Sequence, residues 1–430
     1  YEKINDCITH LNKYFNKKYV DIVPTMNAVI KLMTTKVFAT SLLSTIKDGA
    51  FELEDIKYDF GKLISMVLRT SNSKMVDSTM AAKQQARAQR PVQFLYDVDF
   101  TTYFDNREYH APYQIPQTIF NFRLSPEVGV RLLDRAGGVH DLVAGVSYTQ
   151  RLGGNWRDVQ FDPIAYYQFR YRGFSVALGA IPYTKRISPM PDWLLYDSIA
   201  YMHPNIQGAY MSYHDERGFM ELMCDWRGAQ TDVRREMFRV MLNGQYQYKW
   251  LQVGGLAHLN HKAGFAKTYE PVMDDINANA FVGTDLTRYT PLDSLAIRVG
   301  YIFGWQRDRA TNDNFYNHGA LIEVYANWWF LGLKNTLYVG DNLQPLRPRN
   351  AFVCLGDPFY QSRLYNRTDL FIYLYRSEFV DCYFSWNMHY DTYRLQHQQQ
   401  VIVRFELEPL MRSLAKPSDK HAYIRAIFDK

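Results

Sequence analysis

No apolar run in the 430-residue chain approaches the ~18 residues of a membrane-crossing helix, and mean hydropathy is −0.34. Transmembrane helices are thereby excluded. Spanning strands are not, because only alternate residues of such a strand meet lipid and its average hydropathy resembles that of a soluble protein. Cysteine is scarce: Cys7, Cys224, Cys354 and Cys382 lie far apart with no CxxC spacing, too few for a disulfide framework, and are expected to be unpaired. Charge of one sign is also lacking. The net value is +5, of which +3 falls in residues 1–74, so nothing marks a nucleic-acid partner. The motifs GxSxG, HExxH and GxxxxGK[ST] are absent, and no catalytic residue, metal site or cofactor is expected. The opening YEKINDCITHLNKYFNKKY has no apolar stretch of the kind a signal peptide needs.

Lysine is scarce in only one part of the chain. Residues 1–74 carry ten Lys and one Arg, whereas residues 91–410 carry five Lys and twenty-five Arg. That reversal marks a boundary. In the first part Ile4, Ile8, Leu11 and Phe15 share a helical face, as do Phe60, Leu63, Ile64 and Val67, which predicts a small α-helical segment at 1–74. It is either an appendage or foreign sequence joined to the rest. Residues 75–92 read as a linker, 93–407 as the main domain and 408–430 as a polar tail.

From Gln93 the period falls from 3.6 to 2. Phe94, Tyr96, Val98, Phe100 and Phe104 occupy one face, and Asp97, Asp99 and Thr101 the other. Phe120, Phe122, Leu124, Val128 and Val130 alternate with Arg123, Glu127 and Arg131; Val401, Val403 and Phe405 alternate with Arg404 and Glu406. Connections near 134–139, 170–174, 214–218, 247–251, 289–294, 327–331 and 375–379 are short. Those between them, such as 184–205 and 342–361, are mostly longer. Fifteen connections give sixteen strands, and short turns on one side with long loops on the other are the plan of a bacterial outer-membrane barrel. Aromatic residues make up 16% of the chain, with 33 Tyr and 8 Trp; Tyr171, Trp250, Trp328, Trp329 and Tyr375 gather at short turns as an interface girdle would. A closed antiparallel transmembrane β-barrel of about sixteen strands is therefore expected. Closure is obligatory, since an unpaired edge in hydrocarbon costs several kcal/mol per group.

The pattern over 93–407, with segments such as DNREYHAPYQIPQTIFNFRLSPEVGV and DSIAYMHPNIQGAYMSYHDERGFMELMCDWRGAQ, resembles porin-like outer-membrane proteins of Gram-negative bacteria, in an Arg-rich and Tyr-rich style similar to barrels of the Bacteroidetes. The resemblance implies outer-membrane location, contact with its lipid, and passive passage of small hydrophilic solutes. A barrel plugged by its own loops, anchoring protein partners of a larger complex, is the alternative.

The inward register would hold Asp97, Asp99, Arg123, Glu127, Arg131, Arg170, Glu221, Asp225, Arg239, Arg298, Glu323, Lys334, Asp381, Arg404 and Glu406. Both signs are balanced, so no strong ion selectivity follows. Constriction is expected from the unusually apolar 184–205 loop at Trp193, and from Arg347 and Arg349 between prolines. Ser385, Asn387 and His389 share one strand face, followed by Asp391. Steps of two residues separate neighbours by about 7 Å, so a polar lumen wall is expected there and not a catalytic set. His258 and His261 fall on opposite faces of a strand, and Asn366-Arg367-Thr368 matches a glycosylation acceptor by chance.

Overall fold

The computed structural model describes residues 92–407, apart from Val233, residues 265–270, Phe352 and Tyr393. The expected helical segment at 1–74, the linker up to 91 and the tail at 408–430 lie outside the described residues. Sixteen strands follow one another: β1 Val92–Glu108, β2 Gln117–Leu133, β3 Val139–Arg151, β4 Val159–Tyr171, β5 Phe174–Pro182, β6 Asn205–His214, β7 Gly218–Gly228 and β8 Met237–Tyr248 form the first half. The second half comprises β9 Leu251–Lys262, β10 Met273–Asp285, β11 Ser294–Asp308, β12 Asp313–Trp328, β13 Leu331–Gly340, β14 Leu364–Arg376, β15 Val380–Tyr390 and β16 Leu395–Glu406. Each pairs antiparallel with its neighbours in sequence, and β1 pairs with β16, closing the barrel.

Alternation sets the facing. Val128, Val130, Leu142, Leu178 and Val299 point outward and are exposed, whereas Glu127, Glu221, Asp225 and Arg239 point inward and are buried. A soluble sandwich would do the reverse, burying its apolar face. This inverted arrangement on a closed antiparallel sheet places the chain in the bacterial outer membrane. Trp328, Trp329, Trp250, Tyr248 and Tyr375 are exposed around the short-turn end, the amphipathic rings of one membrane interface. Turn chemistry fixes the register there. Arg172 and Gly173 both have positive φ, 47° and 80°, as a two-residue hairpin matching strand twist requires. A Cβ on Gly173 would lie 2.3 Å from the His214 carbonyl oxygen.

The apolar core lies inside the barrel, toward the long-loop end. Residues 183–204 and 341–363, which link β5 to β6 and β13 to β14, fold inward and place Trp193, Leu194, Phe359 and Tyr360 against wall residues Ile206, Met223, Met241, Ile302, Tyr338 and Tyr365. The first loop carries a short helix, α1 (Asp197–Met202), and the second a 3-10 turn at Pro358–Gln361, where the Asp357 side chain accepts from the Phe359 N–H. The apolar character of residues 184–205 is explained by this packing: their side chains meet barrel wall and not water.

Candidate functional site

Under these two loops, the inner faces of β14, β15, β16 and β1 carry a continuous polar network. On β15, Ser385, Asn387 and His389 point inward at full burial, with Asp391 just beyond; on β16, Gln396, Gln398 and Gln400 do the same. Asn387 donates to Gln398 and Gln400 at 3.1 and 2.8 Å, and Ser385 donates to Asn387. The Gln398 amide N–H donates to Asp105 at 2.8 Å, which leaves its carbonyl oxygen facing His389 Nε2 at 3.1 Å. A carbonyl oxygen only accepts, so this network assigns the proton of His389 to Nε2. Nδ1 then accepts from the Tyr365 hydroxyl at 2.7 Å. The imidazole stacks on Phe359, centroids 4.7 Å apart, and the Tyr109 hydroxyl lies 3.5 Å from Nε2.

Asp105 in turn holds Arg107 two residues on, Oδ2 accepting from Nη2 at 2.6 Å and Nε at 3.0 Å. Both side chains are wholly buried. Arg107 also donates to the Tyr196 hydroxyl at 2.5 Å, and Tyr196 donates to Gln114 at 3.3 Å. Gln114 donates to Asp357 at 2.9 Å. Burial pushes the Asp357 carboxyl up to about 7, partly offset by Arg367. Asp192, midway along the 183–204 loop, meets Lys334 at 3.0 Å and Arg367 at 3.3 Å. Burial alone would raise its carboxyl, but these two cations hold it below the usual carboxylate range. The loops are thus tied to the wall by charge as well as by apolar packing.

The residues expected to line the lumen sit as follows. Lys185 reaches Asp97 at 3.3 Å and Glu127 at 3.9 Å; Asp99 stands opposite Glu406. Arg131 and Arg170 converge on Asp141 at 2.7 and 2.5 Å. Glu221 takes Arg186 at 2.6 Å, and Asp225 takes Arg239 at 2.9 Å. Arg298 donates to Gln245 at 2.9 Å, Glu323 accepts from Tyr325 at 3.1 Å, Arg123 donates to the Tyr201 carbonyl, and Asp381 stands opposite Arg404. Trp193 is packed in the apolar plug. Arg347 donates to the carbonyls of Cys354 and Gly356 at 2.8 and 3.0 Å, stiffening its own loop. Arg349 lies at the rim on Asp313 at 2.7 Å and Asp308 at 3.2 Å. Among the described residues, no three His, Cys, Asp or Glu side chains converge as a metal site would require.

Asp105 and Arg107 were not singled out from the sequence, because β1 was expected to end near Phe104. The alternation in fact continues through Tyr103, Asp105 and Arg107 on the inner face. It is masked because the outward residues Asn106 and Glu108 are polar too.

A family model described as lipid A 3'-O-deacylase-type matches residues 86–413, a span containing the whole barrel. The chain belongs to that family. The finding corrects the expectation of a non-enzymatic barrel with no catalytic residue, since the family is named for an enzyme. Solved structures with similar folds include a triple mutant of the Rhodopseudomonas blastica porin, at 10% identity and TM-score 0.42, covering 73% of this chain and 100% of that one. The loop-deleted OmpT of Vibrio cholerae stands at 11% identity and TM-score 0.45, covering 74% and 100%. No curated protein matches. Ser385 donates to Asn387, so on β15 the serine and the histidine of the inner face are each held by other partners.

Proposed function

We propose that this outer-membrane barrel hydrolyses an acyl ester of a lipid A-type glycolipid at its long-loop end. The observation that carries the reading is one histidine, His389, held by partners on both ring nitrogens beside the Asp105–Arg107 pair. Family membership supports it, and so does the geometry, which supplies the two things ester hydrolysis needs: a base for water and a fixed donor for the developing oxyanion.

In this reading the Nδ1 lone pair of His389 receives a proton from water by way of the Tyr365 hydroxyl. The water oxygen bonds to the acyl carbon while Arg107 donates to the carbonyl oxygen. Collapse breaks the bond to the alkoxy oxygen, which takes the proton back from His389, releasing a fatty acid and a sugar hydroxyl. Gln398 and Asp105 position the imidazole through its other nitrogen. Both key side chains are buried, so residues 183–204 and 341–363 must part to admit substrate. The same filling of the interior favours a reaction at the loop end over passage of small hydrophilic solutes through it.

The test is incubation of the purified, folded barrel with lipid A, read by mass spectrometry as loss of one acyl chain. His389→Ala should lower the rate by roughly 10²- to 10⁴-fold with heat-modifiable mobility retained. A wild-type barrel without activity, or a His389→Ala barrel with full activity, overturns the reading.

A further inference from the structure

The lipid-facing wall is not uniform. Over β3 to β12 the outward residues are mainly apolar, as in Met220, Leu222, Leu242, Val253, Val282 and Val299. Across β13, β14, β16, β1 and β2, however, amides and hydroxyls interrupt the outer face, several of them paired with one another through the sheet register. Asn335 stands beside Thr368, His397 beside Glu108, and Asn106 between Gln399 and Thr118. Trp386, with its indole exposed, stands beside Gln399 on β15. Asn106 donates to Gln399 at 2.7 Å and accepts from Thr118 at 2.9 Å; the Trp386 indole N–H reaches His397 at 3.3 Å.

Such residues are unfavourable against hydrocarbon unless something polar covers them. Their height provides the cover. From Phe94 to Phe104, ten residue steps of tilted strand span the ~25 Å apolar band of an outer-membrane barrel, so Asn106, Glu108, Thr118 and Gln399 begin where the outer-leaflet headgroups do. Their chemistry narrows the occupant. The outward register of these six strands contains amides, hydroxyls, one imidazole, one carboxylate and an exposed indole, and no Lys or Arg. Planar amides and a carboxylate beside an aromatic face suit sugar hydroxyls and the apolar face of a sugar ring; without a cation they do not suit a phosphate.

We propose that the outer wall around Trp386, Asn106 and Gln399 docks the saccharide headgroup of an outer-leaflet glycolipid. For the identity of that lipid the proposal rests on the hydrolase reading. The location supports it, because Asn106 and Gln399 are the chain neighbours of Asp105 and Gln398, so the patch and the buried network lie on opposite faces of the same two strands. Above this seam the β15–β16 connection is only residues 391–394, a short stretch of the rim.

The test uses the full chain in nanodiscs of phosphatidylglycerol doped with lipid A or with dephosphorylated lipid A, and reads retained lipid by native mass spectrometry. The wild type should retain both glycolipids in preference to phosphatidylglycerol. The triple variant Trp386→Leu, Asn106→Leu, Gln399→Leu, whose apolar side chains suit lipid and leave the barrel folded, should lose that preference about tenfold. His389→Ala should keep it, and a wild type that retains glycolipid without removing an acyl chain leaves this proposal standing while the hydrolase reading fails. Wild type without preference, loss of binding on dephosphorylation, or a triple variant that changes only the oligomeric state would overturn it, the last marking the patch as a contact between copies.

Discussion

Adjacent residues of one strand here live in different solvents, and single substitutions separate the two. Val403 on β16 faces lipid and Arg404 faces the lumen. Val403→Arg should destabilise the barrel by roughly 2–4 kcal/mol, the cost of a cation near the bilayer midplane, whereas Arg404→Ala should cost far less because water fills the vacated space. Denaturant titration of refolded barrels measures both. Probes at Val240 and Val403 should be quenched by lipid-tail nitroxides and probes at Asn243 and Arg404 should not; equal quenching at neighbouring positions would sink the assigned facing. Facing is the property most legible in sequence, because it follows from parity alone. Partners are not. That Arg131 and Arg170 share Asp141, or that Gln398 turns its carbonyl toward His389, depends on which strands are neighbours and on what the loops bring, and neither leaves a local signature.

At the scale of elements, the strands were readable and the loops only half so. The apolar content of residues 184–205 demanded a partner, but that the partner is the barrel's own inner wall needs the closed sheet to be known first. The two inward loops should also respond to pH in opposite ways. Asp357 has a raised carboxyl value, about 7 against an ordinary 3.8, so the folded 341–363 loop favours its protonated form. Its contribution to stability is complete below the ordinary value and is lost as pH rises toward 7. Asp192 has a lowered value, so its contribution to the 183–204 loop is complete above the ordinary carboxylate value and fades only in strong acid. Amide exchange, corrected for intrinsic rates, should show residues 341–363 opening more readily at pH 8 than at pH 5.5, with 183–204 unchanged over that interval. Asp357→Asn should abolish the difference; its persistence would mean another group controls the loop.

For the whole molecule, closure is the organising fact. All sixteen strands lie between Val92 and Glu406, and β1 finds its second partner in β16. Deletion of residues 1–90 should therefore leave a chain that refolds in detergent with heat-modifiable gel mobility; failure of the shortened chain where the full one succeeds would place the boundary wrongly. The seam that closes the ring joins the most distant strands of the domain. The Asn106–Gln399 bond bridges 293 positions. A nascent chain emitted from its N-terminal end thus presents β1 before every other strand and β16 last, and until Leu395 and its successors arrive β1 has only β2 beside it. The ring cannot close gradually, since a fifteen-stranded intermediate still has two bare edges and no shorter ring uses the same registers. Whatever escorts this chain to the membrane must keep an early edge and a late one from pairing with strangers for the full interval between them, and a frameshift in the final dozen codons of β16 would be as damaging to assembly as one in the first.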